Sequence, residues 1–149
     1  STDDAIILRG TLKAGTVVLP EFSVTASENA LIAASLIEGV SIIELAALEP
    51  HVQDTAKFLC ACGVDIEGIG SHTLKIHGKK KLQSGVTYTV TSDYLEAGAF
   101  AIAALVTKGK IHIEGVEKEH LVSFLAALKR MGGIYMWNGK TLGRAVTSL

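Results

Sequence analysis

Two short stretches of the chain combine residue types that could do chemistry. Thr25 to Glu28 and Asp93 to Glu96 each place a glutamate three residues after a capping residue, at the start of an apolar run. That spacing is the capping box, in which the glutamate reaches back to the cap's backbone N–H. A helix start behind a strand can also hold an anion on its free N–H groups. The stretch Pro20-Glu21-Phe22-Ser23-Val24-Thr25 is the better candidate for that second use. It adds a hydroxyl to the backbone donors and follows the C-terminal end of an expected strand. Glu21 works against an anion there, because a carboxylate beside a phosphate repels it.

The other reactive side chains favour structural roles. Cys60 and Cys62 fall two apart on an expected helix and point to different sides, so they cannot grip one metal together. Buried structural cysteines are the expectation. His51, His72, His77, His112 and His120 show no ligand spacing, and His51 and His120 stand at helix starts, where solvated rings are expected. Glu49, Asp54, Asp93 and Glu96 are candidate acids or bases, each expected to be solvated or capping in the absence of a tuning group. Gly68-Ile69-Gly70 looks like part of a nucleotide loop but leads into a hairpin strand, which rejects the dinucleotide fingerprint. No metal and no cofactor are expected.

Composition narrows the function classes. Fourteen Lys and Arg against fifteen Asp and Glu give a net charge of −1. Lys79-Lys80-Lys81 is the one basic run, so nucleic-acid binding through bulk charge is not expected. No apolar stretch reaches the ~18 residues of a membrane span. The acidic start Ser1-Thr2-Asp3-Asp4 has no signal-peptide pattern. Two cysteines make no disulfide framework. A cytoplasmic protein is expected. The apolar share is 48% and mean hydropathy is +0.38, an excess that suggests a surface seeking a partner.

The elements that must position these residues repeat with a period of about 70 residues. The shift pairs Ala33-Ala34 with Ala103-Ala104, Gly39 with Gly109, Ile43-Glu44 with Ile113-Glu114, and Gly63 with Gly133. The first unit, residues 1–90, reads βαβαββ: a strand at Thr16–Leu19, a helix over Ser27–Ile37, a strand at Val40–Leu45, an amphipathic helix opened by Glu49-Pro50 and closed by Gly63, and a hairpin from Val64 to His77. The second, residues 91–149 with a leading strand from Gly85 to Thr91, repeats the order. It has a helix over Tyr94–Val106, a strand at Lys110–Glu114, a helix carrying Leu121, Phe124, Leu125, Leu128 and Met131, and a hairpin of Ile134–Trp137 and Lys140–Val146 about Asn138-Gly139. The first helix of each unit is apolar nearly all round and is expected to be covered on most sides. Two units supply little such cover, which suggests further units or self-association.

Three runs carry a family resemblance. They are the helix start Ser23-Val24-x-Ala26-x-Glu28-Asn29-Ala30, the helix start Glu49-Pro50-x-x-x-Asp54, and Asp93-x-x-Glu96-Ala97-Gly98. With the sequence around them, from about Leu8 to Trp137, they resemble the UDP-N-acetylglucosamine 1-carboxyvinyltransferases, the enolpyruvyl transferases of peptidoglycan precursor synthesis. The resemblance implies an α/β (α+β) chain of tandem βαβαββ units from an inside-out barrel, with helices buried and sheets outside. It implies that the chain holds two of six units, the first resembling the last unit of one lobe and the second part of the other lobe, and so looks like a fragment. The reaction it implies moves the enolpyruvyl group of phosphoenolpyruvate to the 3-hydroxyl of UDP-N-acetylglucosamine, by positioning and electrostatic stabilisation. The family's general acid, Asp base and most of its cationic clamp lie in segments absent here, so no catalytic residue is expected and the chain alone should be inactive. Glu21, Phe22, Ser23 and Val24 correspond to the UDP-sugar stretch, with Glu21 where the family usually has lysine. Asp93-Tyr94 stands at the cleft or hinge, where Asp-Arg is usual. Two alternatives are an enzyme piece like 5-enolpyruvylshikimate-3-phosphate synthase, which shares the fold, and a non-catalytic repeat module that binds a protein partner.

Overall fold

The computed structural model describes Ile7, residues 9–139 and 141–147, the last five without their side chains. Ser1–Asp4, Leu8 and Lys140, named above, lie outside the described residues. Contacts divide the chain into two compact units, Ser1–Thr89 and Val90–Leu149.

In the first unit the order is β1 (Thr16–Val18), α1 (Val24–Ser35), β2 (Gly39–Glu44), α2 (Pro50–Ala61), β3 (Asp65–Glu67) and β4 (Thr73–Gly78). The sheet runs β1-β2-β4-β3. β1 and β2 are parallel and joined through α1, while β4 is antiparallel to both β2 and β3. Side chains alternate across the pleat. Ser41 and Ile43 on β2 and Leu74 and Ile76 on β4 point inward. There they meet Leu31 of α1 and Val52, Ala56 and Leu59 of α2 in one apolar core. Both helices therefore cover one face of the sheet. The other face carries Glu67, whose Oε1 accepts from Lys75 Nζ at 2.7 Å and pairs with His77 Nε2 at 3.0 Å. These two neighbours, Lys75 first, hold the Glu67 carboxyl below its usual range.

The second unit contains α3 (Tyr94–Val106), β5 (His112–Ile113), a 3-10 turn over Lys118–Leu121 that runs into α4 (Val122–Arg130), β6 (Gly133–Asn138) and β7 (Thr141–Thr147). Its sheet is β5-β7-β6, antiparallel throughout. Ala97, Ala101, Ala104 and Leu105 of α3 pack with Leu121, Leu125, Leu128 and Leu142. The 70-residue shift carries β2-β4-β3 onto β5-β7-β6, so the repeat holds in strand order as well as in sequence.

Three expectations need correction, and a fourth is met. Residues 85–91 form no strand. Their alternating Val86, Tyr88 and Val90 do not line one sheet face: Tyr88 turns onto α2, and Val90 is 75% exposed. The helix α1 starts at Val24 with Ser23 as its cap, three residues before the expected start, so Thr25 and Glu28 form no capping box. Glu28 instead accepts from Thr55 Oγ1 of α2 at 3.2 Å. As expected of two units without further cover, neither α1 nor α3 is covered all round. Ile32 remains exposed on one, with Leu36 just past its end, and Leu95, Phe100, Ile102 and Val106 on the other. His120 is not solvated: only 17% of its side chain is accessible, and its Nδ1 is buried without a partner while Nε2 lies 3.5 Å from Glu117.

Candidate functional site

Strand register gathers three connections at one end of the first sheet. Val18, the last residue of β1, lies beside Glu44, the last of β2. Glu44 in turn lies opposite Thr73, the first of β4. The segments Leu19–Ser23, Leu45–Glu49 and Gly68–His72 therefore meet there, with the N-termini of α1 and α2.

Hydrogen bonds lace these segments together. Leu19 N donates to Glu44 O at 3.0 Å, and Ala46 N to His72 O at 3.0 Å. The Ser27 hydroxyl, fully buried, donates to Ser23 O at 2.7 Å and accepts from Ala47 N at 2.9 Å. One serine inside an apolar helix thus ties the start of α1 to the connection after β2. Ser23 N donates to Glu21 O at 2.8 Å, which folds the chain tightly ahead of the helix. Ser23 Oγ accepts from Ala26 N at 3.3 Å and caps α1. An α-helix leaves its first N–H groups without intrahelical acceptors, so those of Val24 and Thr25 face the same end. Leu45 holds a left-handed φ of +60°, a conformation costing ~1–2 kcal/mol for a residue with a Cβ. Gly68, at φ +83°, has no room for a side chain: a Cβ would lie 2.2 Å from Thr73 O.

The charge of this end is acidic. Glu21 is exposed, Glu44 and Glu49 flank it, and the three connections contain no lysine or arginine. An aromatic pair stands among them. Phe22, 57% exposed, packs on the His72 ring with centroids 4.3 Å apart at 41°. His72 Nδ1 lies 2.8 Å from Ala46 O. A carbonyl only accepts, so Nδ1 carries the proton.

The remaining candidates belong to other elements. Asp93 caps α3 in the second unit, accepting from Leu95 N at 2.8 Å and Glu96 N at 3.3 Å. Tyr94 packs against that unit's core. Cys60 and Cys62 end α2, away from its N-terminus at Glu49. Burial pushes the Cys60 thiol up, making it a poor nucleophile. Asp54 is neither solvated nor capping. It is 8% exposed and accepts from the Tyr88 hydroxyl at 2.8 Å. Phe58 meets the Tyr88 ring edge-on at 5.5 Å. Among the described residues no three His, Cys, Asp or Glu side chains cluster as metal ligands would. No helix among them is long and apolar enough to cross a membrane.

Comparison with known proteins bears on this arrangement. The family profile described as EPSP synthase (3-phosphoshikimate 1-carboxyvinyltransferase) matches residues 4–146. The UDP-N-acetylglucosamine 1-carboxyvinyltransferase of Sphingopyxis alaskensis is 41% identical over 128 residues, which is 86% of this chain and 30% of that protein. The one from Shewanella amazonensis is 46% identical over 123 residues, 83% of this chain and 29% of that protein. The chain thus spans about 30% of the length of these curated relatives. Among solved structures, the enolpyruvyl transferase NikO from Streptomyces tendae superposes with a TM-score of 0.78 at 22% identity, over 89% of this chain and 35% of that one. EPSP synthase from Acinetobacter baumannii gives 0.60 at 24% identity, over 91% and 32%. A mixed α/β chain with this unit order has the enolpyruvyl transferase fold, and the profile covers nearly all of it: the chain belongs to the EPSP synthase (3-phosphoshikimate 1-carboxyvinyltransferase) family.

Proposed function

We propose that the chain is part of an enolpyruvyl transferase that moves the enolpyruvyl group of phosphoenolpyruvate to the 3-hydroxyl of UDP-N-acetylglucosamine, releasing phosphate, in the cytoplasmic synthesis of peptidoglycan precursors. The observation that carries this reading is the identity of 41–46% to curated proteins of that name. The turn at Glu21, Phe22, Ser23 and Val24 serves as a UDP-sugar contact. Ser23 offers its hydroxyl, and the first N–H groups of α1 offer donors to an anionic oxygen. Glu21 weakens that donor set by repulsion and lowers the affinity below that of a site with lysine in its place. Asp93 and Tyr94 stand at the cleft of the full enzyme, and the two units belong to different lobes. The chain supplies binding and positioning, not the acid and base, and does not turn over alone. The exposed faces of α1 and α3 are covered by further units of the enzyme or, in the isolated chain, by a second copy.

Titration calorimetry of the chain with UDP-N-acetylglucosamine tests the reading, with Ser23→Ala as comparison. Binding that the substitution weakens is the expected result. A folded chain that gives no heat refutes the assignment of the turn. The family's name also covers 3-phosphoshikimate chemistry, which is the second reading. Binding of shikimate 3-phosphate in place of the UDP-sugar would establish it.

A further inference from the structure

Phe22 and His72 call for an explanation beyond packing. A phenylalanine ring more than half exposed at the end of a sheet loses apolar burial unless something covers it. This one is not loose. It rests on a ring that is itself fixed twice, through His72 Nδ1 to Ala46 O at 2.8 Å and through Ala46 N to His72 O at 3.0 Å. On its other side the backbone runs into Ser23, the cap of α1. A ring immobilised from behind and open in front is preorganised for stacking, because little freedom remains to be lost on binding. The second ring adds a polar group. With Nδ1 donating to a carbonyl, Nε2 of the neutral imidazole is an acceptor. The acidic surroundings of Glu21, Glu44 and Glu49 suit a ligand part that donates, such as a hydroxyl, better than one that is anionic.

We propose that Phe22 and His72 form a two-ring wall that takes a ring of the nucleotide sugar, stacked on the open face of Phe22 with one of its hydroxyls donating to His72 Nε2. This rests on the UDP-sugar reading of the turn and adds to it a residue, His72, from a hairpin 50 positions further along the chain. The wall sets which face of the ligand meets the turn, while Ser23 and the helix N–H groups meet its oxygens.

The test measures affinity of the full 149-residue chain for UDP-N-acetylglucosamine by calorimetry, with melting curves for every variant. Phe22→Leu keeps the apolar volume and removes the flat face; it should weaken binding about fivefold, the size of one stacked pair. His72→Phe keeps the backing ring and removes Nε2; it should also weaken binding about fivefold, the size of one neutral hydrogen bond. Phe22→Tyr should recover the affinity lost in the leucine variant. The Nε2 nitrogen resonance of His72 should shift on saturation, which a merely structural role would not produce. Repeating the titrations with UDP and with N-acetylglucosamine 1-phosphate assigns the stacked ring to the nucleoside or to the amino sugar. If either Phe22→Leu or His72→Phe binds within twofold of the parent while Ser23→Ala is impaired, the wall is refuted and the UDP-sugar reading stands. If the folded parent binds neither the UDP-sugar nor its parts, both fall together.

Discussion

Replacing Gly78 by alanine would drive a methyl group into the end of α1. Gly78 closes β4 where that strand passes the last turn of the helix, and Lys79 N donates to Ser35 O at 2.9 Å just beyond it. A Cβ at Gly78 would lie 2.0 Å from Ile37 O and 2.3 Å from Ala34 O. Ordinary van der Waals separation is about 3.5 Å, so strand and helix must part by more than about 1 Å. Both obstacles are backbone atoms, which no rotamer change can move aside. Overpacking of this kind costs about 1–3 kcal/mol. Losing the Lys79–Ser35 bond adds about 1 kcal/mol. The expected loss of about 2–4 kcal/mol corresponds to a fall of about 10–25 °C in the melting temperature of a unit this size. Gly15→Ala is the control. Nothing lies within 4 Å of its Cβ position, and its φ is not left-handed. Thermal and urea unfolding of the three proteins side by side decides the matter. A Gly78→Ala protein that melts within 2–3 °C (about 0.5 kcal/mol) of both others would refute the argument that β4 and α1 meet backbone to backbone.

Three further outcomes are expected. Ser27→Ala removes the bridge between Ser23 O and Ala47 N and leaves a buried N–H unpaired; it should cost about 1–3 kcal/mol by urea titration. Burial, reinforced by the Asp54 hydrogen bond, pushes the Tyr88 phenol up to about 12, from 10.0. The folded chain therefore holds a proton that the unfolded chain releases first, so the contribution is full below pH 10 and lost as pH rises through 12. Stability measured from pH 9 to 12 should fall less steeply in Tyr88→Phe than in the parent. Glu21→Lys replaces a repelling charge with an attracting one beside the first N–H groups of α1. It should tighten UDP-sugar binding several-fold at low salt, with the gain shrinking as ionic strength rises.

Sequence legibility followed the range of the interactions involved. Helix α3 could be read to its ends, because Asp93 caps it and the small apolar run Ala97–Val106 has no competing pattern. The start of α1 could not, because Thr25 to Glu28 mimics a capping box two residues inside the true cap. What selects Ser23 is the tight turn closed by Glu21 O, a backbone contact that side-chain spacing does not encode. Residues 85–91 alternate as a strand does, yet alternation says nothing about whether a partner strand is available. Tyr88 instead answers Asp54, a partner 34 residues away. That distance also hid the burial of Asp54. At the candidate site, residue types single out the turn from Glu21 to Val24, whereas His72 has no ligand spacing to single it out. Its place beside Phe22 depends on the register of β2 against β4. Ser27 left the one usable signal: a hydroxyl inside an apolar helix must find a bond, and the sequence shows the hydroxyl but not the acceptor.

The 70-residue register of the two units bears on how the chain avoids folding wrongly. Tandem copies of one pattern invite a helix from one copy to dock on the sheet of the other during synthesis. Here four buried positions are matched in place, and three of the four differ in side chain. Ser27, Leu31, Ala34 and Ser35 of α1 fall at the places of Ala97, Ala101, Ala104 and Leu105 of α3. Exchanging the helices would put Leu31 where Ala101 fits and Ser35 where Leu105 fills the core, giving a clash at one level and a void at the other. It would also strand the Ser27 hydroxyl away from Ala47. Each helix thus carries a pattern of volumes fitted to its own sheet, so divergence between the copies weighs against an exchanged packing.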